Sequence, residues 1–316
     1  MLYVYSLLEI LYVIALSPLI IGIQNSIEER IESKQGPSIF QPYYDLAKLF
    51  RKESLVPEVS SPIYRLGPYV IFMFYLFIAC IIPIITAFPL PFAPAADFVG
   101  GGLLFGAASA IKKFSAIDSR SNYAHLGTSR SASLGALTEP IIMLIFIMLG
   151  VLSNSNNPFV INHVLRSSPE WYFSLLHGFV TAAFFLVLII ETGQLPVESH
   201  TNGELGMIDQ AMPFEYSGSD LAMYKWSSYM KTFLLMSVFL NVFILPFGVP
   251  MDENAGFFSI LIYMGLHVLK LMGLIILFAL INTTVSKFRL YKNFDFLAVA
   301  FALAFLASLA YYIINR

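Results

Sequence analysis

Two carboxylates lie within or at the end of apolar stretches of the sequence, where charged side chains are unusual. Glu139 comes seven residues after Ala132, near which one such stretch begins, and Glu191 ends the stretch that begins at Tyr172. A carboxylate in a membrane segment is costly unless it faces other protein, a partner or water. We therefore predict that Glu139 handles protons or other ions, and Glu191 is a second candidate.

A histidine and a lysine share one face of another apolar stretch. His267 and Lys270 are three residues apart, which places them on the same side of a helix. An intramembrane lysine indicates either an ion path or a structural pair with an acid on a neighbouring helix. The sequence leaves both interpretations open. Glu9, within the first apolar stretch, is a further intramembrane acid of lower rank.

A third group of ionisable residues is a run of acids after residue 190, with only Lys225 close by. The six acids are Glu191, Glu198, Glu204, Asp209, Glu215 and Asp220. If they converge in a partly buried funnel, repulsion and desolvation would raise the pKa of some of them towards neutrality. A solvated acidic loop is the alternative interpretation.

The elements that position these residues are membrane helices. The chain has 316 residues, of which 58% are hydrophobic and 12% charged, and its mean hydropathy is +0.75. A soluble core of this size cannot bury that much apolar surface, whereas a bilayer can. We predict an all-α integral membrane protein, a single polytopic domain over 1–316, with about eight spans at Leu2–Ile23, Leu66–Ala87, Phe98–Phe114, Ala132–Leu152, Tyr172–Glu191, Trp226–Pro246, Phe257–Ile281 and Phe294–Ile314.

The distribution of basic residues predicts the orientation. Of the 18 Lys and Arg residues, 15 fall in the loops after the odd-numbered spans, and the opposite loops hold only Arg166. The positive-inside rule places those loops in the cytoplasm and both termini outside a cell membrane. The predicted cytoplasmic loops are long and cover about 24–65, 113–131, 192–225 and 282–293.

The first of these loops contains a short amphipathic segment. After Pro42, apolar residues alternate with charged ones at a spacing that predicts a short helix at the membrane surface. The Gly36-Pro37 pair predicts a defined turn before it. Cys80 is the single cysteine, and no spacing of His or Cys suits a metal site. We therefore predict no metal bound by this chain.

Three segments together resemble one family, in order and over most of the chain. They are Gln35-Gly36-Pro37 with Gln41-Pro42, Asp45 and Lys48-Leu49; Leu134-Gly135-Ala136 with Glu139; and Glu191-Thr192 with Pro196, Glu204-Leu205 and Glu215-Tyr216-Ser217-Gly218. These segments resemble the complex I subunit 1 (NuoH-type) family. Quinone-reducing members typically carry an Asn-Arg pair where this chain has Gly193-Gln194. That departure resembles the branch found in membrane-bound [NiFe] hydrogenases, formate hydrogenlyase and the archaeal sulfane sulfur reductase.

The resemblance implies a role without a catalytic centre in this chain. It implies a membrane-anchor and energy-coupling subunit of a redox complex, ferredoxin-linked, which docks a peripheral electron-transfer arm and contacts antiporter-like membrane subunits. Iron–sulfur clusters, and a Ni–Fe centre in a hydrogenase, would belong to those partners, and no cofactor to this chain. The implied relay acids are Glu139, Glu191, Glu204 and Glu215; the implied residues under the arm are Gly36, Pro37, Gln41, Asp45 and Lys48.

Two alternative functions are weighed against this role. One is the quinone-site subunit of an NADH or related donor:quinone oxidoreductase, which the loss of arginine at Gln194 disfavours. The other is a stand-alone secondary ion transporter. Such transporters show internal repeats and broken helices at mid-membrane, whereas this chain shows no repeat and its marked residues cluster on one side. Nothing in the sequence indicates a nucleic-acid partner.

Overall fold

The protein is described by a computed structural model, which covers residues 2–93, 97–194, 211–248, 257–285 and 292–314. Those residues form helices and no strand, as predicted. The helices are α1 (Leu2–Ile31), α2 (Gln41–Phe50), α3 (Pro62–Ala79), α4 (Phe98–Asp118), α5 (Asn122–Ser153), α6 (Pro158–Ser167), α7 (Pro169–Tyr172), α8 (Leu175–Glu191), α9 (Gly218–Val238), α10 (Phe257–Thr284) and α11 (Lys292–Ile314).

Each predicted span overlaps a helix, and six of these helices are long and apolar enough to cross a bilayer. The six are α1, α3, α5, α10, α11 and the unit formed by α9 with the π-helical turn Phe239–Ile244. Helix α8 is apolar but has 17 residues, and α4 carries Lys112 and Lys113 near its end. The count of eight spans therefore stays a prediction.

Several helices extend beyond the apolar stretches that predicted them. Helix α5 begins at Asn122 rather than at Ala132, and only residues 119–121 separate it from α4. Most of the second predicted loop, 113–131, is thus helical. The reason is that hydropathy marks where a helix meets lipid, whereas Ser and Ala are compatible with further helical turns outside it.

The second predicted span is wrong at its end. Helix α3 stops at Ala79 rather than Ala87, and residues 80–90 continue as irregular, almost entirely buried backbone. Near them, α9 widens into the π-helical turn and then ends. Irregular backbone at membrane depth is stable only where protein satisfies its polar groups.

Helix α9 is the most buried of the six long apolar helices and α11 the least. Helix α9 packs against α1, α2 and α3, while α11 packs on α8 and α5. Helix α4 lies against α3 and α5 through small residues, which allow helices to approach closely. A Cβ on Gly102 would lie 3.0 Å from the Phe146 ring, and one on Gly67 of α3 would lie 2.5 Å from Ser115 Cβ.

The amphipathic segment of the first loop forms α2, as predicted, but its apolar face packs on the protein. Pro42, Leu46 and Leu49 are buried, and the two leucines form a cluster with Ala222 of α9. The opposite face is exposed, with the Lys48 side chain 59% accessible. Helix α2 is thereby held at one end of α1 and α9, next to the first turns of α9.

Candidate functional site

Glu191, the last residue of α8, is held by side chains from two other helices. Thr138 of α5 donates from Oγ1 to Glu191 Oε1 at 2.5 Å, and Lys231 of α9 donates from Nζ to Oε2 at 2.6 Å. The Glu191 and Lys231 side chains are 16% and 21% exposed. Both carboxylate oxygens therefore have a donor, and one donor is a cation, which is the arrangement that allows a carboxylate to be buried.

Glu139 lies one residue after Thr138 and is paired with a lysine of its own. Lys113 of α4 lies 3.3 Å from Glu139 Oε1. Glycines leave the room for this pair: a Cβ on Gly135 would lie 2.5 Å from Lys113 Nζ, and one on Gly106 would lie 3.6 Å from Glu139 Oε2. The Glu139 side chain is 40% exposed, so this carboxylate faces outwards from the chain as well as inwards.

Two cavities meet at the Glu191–Lys231 pair. The smaller one, about 20 Å³, is lined by Glu139, Glu191 and Lys231 among others, and it is large enough for about one water molecule. The larger one, about 530 Å³, is also lined by Glu191 and Lys231 and includes Lys112 and Gln194 in its wall. The ion pair thus forms the boundary between a wide cavity and a narrow space that leads to Glu139.

A cluster of amides around one carboxylate borders the larger cavity through Gln24 and Gln194. Gln194 Oε1 accepts hydrogen bonds of 2.6 Å from Gln24 Nε2 of α1 and from Asn282 Nδ2 of α10. The same two amides donate to Glu28 Oε1 at 2.8 and 2.6 Å. Gln194, where the sequence resemblance predicts a difference from quinone-reducing members, therefore links the end of α8 to the ends of α1 and α10.

Of the remaining predicted acids that the structure describes, Glu215 does not join Glu139 and Glu191. Glu215 is exposed, although its neighbour Tyr216 lines the larger cavity. Tyr216 stacks on Tyr64 with ring centroids 4.2 Å apart and donates to the Tyr64 carbonyl, and burial raises the pKa of its phenol above its usual value. Glu198, Glu204 and Asp209 lie outside the described residues.

His267 and Lys270 lie in a different polar cluster. Lys270 Nζ donates to Asn241 Oδ1 at 3.2 Å, to the Leu245 carbonyl at 2.8 Å and to the Phe247 carbonyl. His267 Nδ1 lies 2.9 Å from the Tyr12 hydroxyl. The acid partner considered for Lys270 is not found among the described residues, where its contacts are an amide oxygen and carbonyls.

The residues expected under the peripheral arm lie together on the surface of the first loop. Gly36 packs back on α1, since a Cβ there would lie 3.0 Å from the Ser26 carbonyl. Pro37 follows it, half-buried. On α2, Gln41 Nε2 donates to Asp45 Oδ1 at 3.2 Å, and Lys48 pairs with Asp45 at 3.3 Å.

Sequence reasoning missed the lysines that neutralise the two glutamates. Lys113 and Lys231 are counted among the basic loop residues that predict the orientation. Both lie within helices, where Lys113 contacts Glu139 and Lys231 contacts Glu191. Lys231 falls five residues into the predicted span that begins at Trp226. Its depth in that apolar stretch is the sign that would have marked it as the partner of an intramembrane acid.

The comparisons with known proteins identify the family. Residues 4–313 match the NADH dehydrogenase family. The chain belongs to this family. It is similar to formate hydrogenlyase subunit 4 of Escherichia coli K12, with 30% identity over 96% of each chain. Hydrogenase-4 component C of the same organism is 29% identical over 96% of this chain and 94% of its own.

More distant members of the family also match almost the whole chain. NADH-ubiquinone oxidoreductase chain 1 of Paracentrotus lividus is 25% identical over 94% of this chain and 91% of its own. A chain in the solved structure of the membrane-bound sulfane sulfur reductase, an archaeal respiratory membrane complex, superposes with a TM-score of 0.78. That likeness covers 97% of this chain and 99% of the other at 18% identity, and it shows the shared fold. The resemblance to the hydrogenase branch of the family is confirmed.

Proposed function

We propose that the chain is the membrane-anchor and energy-coupling subunit of a multi-subunit redox complex of the hydrogenase type or a related type. The support is its similarity along almost its whole length to a subunit of formate hydrogenlyase and a component of hydrogenase-4. The described residues include no group of three or more His, Cys, Asp or Glu side chains placed to hold a metal ion. Under this proposal, iron–sulfur clusters and any Ni–Fe centre belong to partner subunits.

The observation that carries the coupling role is the Glu191–Lys231 pair between the two cavities. A proton or cation arriving in the larger cavity would meet a carboxylate already bound to a lysine and a threonine. Protonation of Glu191 would remove its negative charge and weaken its hold on Lys231. Glu139, across the narrow cavity and paired with Lys113, is the next acceptor. The acids Glu204 and Glu215 would precede them on the cytoplasmic side.

The two ends of this path fit two kinds of partner. The peripheral electron-transfer subunits would dock on the first loop, at Gly36, Pro37, Gln41, Asp45 and Lys48. This loop lies on the predicted cytoplasmic side, as does the larger cavity. At the other end, the partly exposed Glu139 would face an antiporter-like membrane subunit. In this arrangement the loops are cytoplasmic and both termini lie outside the cell membrane.

The test uses the intact complex in sealed vesicles, with electron transfer and ion uptake measured in the same sample. Glu139→Gln and Glu191→Gln keep the shape of each side chain and remove its titration, so ion uptake per electron should be lost. Glu170→Gln, which changes an exposed acid of α7, is the matched control and should leave uptake unchanged. Full uptake in both relay variants would remove these glutamates from the path.

A further inference from the structure

A second polar cluster lies where two helix interruptions meet. The irregular segment 80–90 follows α3, and the π-helical turn Phe239–Ile244 follows α9. Asn241 of that turn joins them, because its Nδ2 donates to the carbonyls of Pro83 and Ile84 at 2.9 Å each. π-Helical turns inside long helices are frequent at functional sites. The Asn241 side chain therefore satisfies two backbone carbonyls of the irregular segment. Its oxygen also accepts a hydrogen bond from Lys270.

Glu9 lies on the other side of the same segment. It is fully buried, and its Oε1 accepts from the backbone N–H groups of Ile84 and Ile85 at 3.1 and 3.4 Å. Among the described residues, its other oxygen, Oε2, has no hydrogen-bond partner, and Glu9 forms no ion pair with them. A buried carboxylate without a cation is expected to carry a proton. Since Oε1 is occupied as an acceptor, that proton resides on Oε2.

The Tyr12 hydroxyl and the His267 imidazole are groups that could exchange a proton with Glu9. Tyr12 comes three residues after Glu9, on the same face of α1. Its hydroxyl lies 3.2 Å from the Met264 carbonyl and 2.9 Å from His267 Nδ1. The buried Nε2 of His267 has no partner within the described part of the chain. When the hydroxyl donates to His267, Nε2 carries the hydrogen; when it turns to Met264, Nε2 is a free acceptor.

Charged groups surround this cluster on one side. Lys270 contacts Asn241, which bonds to the same irregular segment as Glu9. Cys80 lies in the neighbourhood of Glu9, and Arg166 of α6 in that of Lys270. Lys270 is thus separated from Glu9 by Asn241 and the peptide groups of the segment. Its positive charge would favour the anionic form of Glu9 without forming an ion pair with it.

The cluster is distant from the Glu139–Glu191 pair. Gln24, which hydrogen-bonds to Gln194 beside Glu191, lies 15 residues after Glu9 on α1, or about 22 Å along the helix. We propose that Glu9, Tyr12 and His267 form a second proton-binding site, in the membrane half opposite to Glu191. Glu9 Oε2 holds the proton, His267 exchanges it, and Lys270 supplies the positive charge that accompanies its release.

The experiment uses the intact complex and two readouts. Infrared difference spectra between acid and alkaline pH should show the C=O stretch of a protonated, buried carboxyl, and Glu9→Gln should remove that band. In sealed vesicles, Glu9→Gln should keep electron transfer and lower the number of ions moved per electron. Gln retains the oxygen that accepts from Ile84 and Ile85, so the variant is expected to fold. Glu170→Gln is the matched control for both readouts.

A second variant separates proton exchange from packing. Tyr12→Phe keeps the ring, which packs against Phe233 and His267, and removes only the hydroxyl. It should retain the carboxyl band and lower ion movement. A band that persists in Glu9→Gln overturns the assignment of the proton to Glu9. Wild-type ion movement in both variants overturns the role of the site. The band tests Glu9 independently of any result for Glu139 and Glu191.

Discussion

Replacing Lys231 with methionine should destabilise the protein by leaving Glu191 without its cation. Removing one partner of a fully buried pair costs about 3–5 kcal/mol, and an exposed pair is worth about 1 kcal/mol or less. Here the two side chains are 16% and 21% exposed, so we expect about 2–3 kcal/mol. At about 2 °C per kcal/mol for a chain of this length, Tm should fall by roughly 4–6 °C.

The measurement is thermal unfolding of the purified full-length chain in detergent. Lys225→Met is the matched control, because Lys225 lies on the same helix and lines the same cavity but forms no ion pair with any residue that the structure describes. The double variant Glu191→Gln with Lys231→Met removes both charges and should recover part of the lost Tm. A Tm for Lys231→Met equal to that of Lys225→Met would refute the reasoning, as would a double variant no more stable than Lys231→Met alone.

Three further predictions concern the positioning of the loops. Gly218→Ala should lower Tm, because Gly218 has φ +54° and a Cβ would lie 2.5 Å from the Glu53 backbone; Gly101→Ala, with open space around it, should not. Asp118→Ala should cost about 1–2 kcal/mol in an unfolding assay, since this carboxylate accepts two backbone N–H groups at the start of α3. Stability should decline above about pH 10, because the folded state retains the Tyr216 proton, with its raised pKa, after the unfolded state loses it; Tyr216→Phe should show a smaller decline.

The sequence predicts the helices well and the contacts between them poorly, for a physical reason. Apolar stretches indicate where lipid surrounds a helix, and each of them contains a helix in the structure. They do not indicate where a helix ends outside lipid, as Asn122 shows, nor where one breaks inside protein, as at Ala79. Irregular buried backbone depends on tertiary partners such as Asn241, which no local pattern specifies.

For a similar reason, the sequence identifies the two acids but not the lysines that pair with them. Glu139 and Glu191 stand out because a carboxylate in an apolar stretch carries a cost that is visible in the sequence alone. Lys113 and Lys231 lie near basic loop residues, so they are taken for topological charges. Their pairing depends on how α4 and α9 lie against α5 and α8, as does the need for glycine at position 135. Spacing within one helix contains no information on that geometry.

Gln194, one residue in the wall of the larger cavity, shows how a single side chain determines the local chemistry of that wall. Its Oε1 is the shared acceptor of Gln24 and Asn282. An arginine has donors only, so at this position it could not accept from either amide, and it would bring a positive charge beside Glu28. In this chain the side chain at this position is instead an uncharged amide, and Glu28 accepts hydrogen bonds from Gln24 and Asn282. The described lining of the larger cavity therefore presents an amide at this position, together with the lysines Lys112, Lys225 and Lys231.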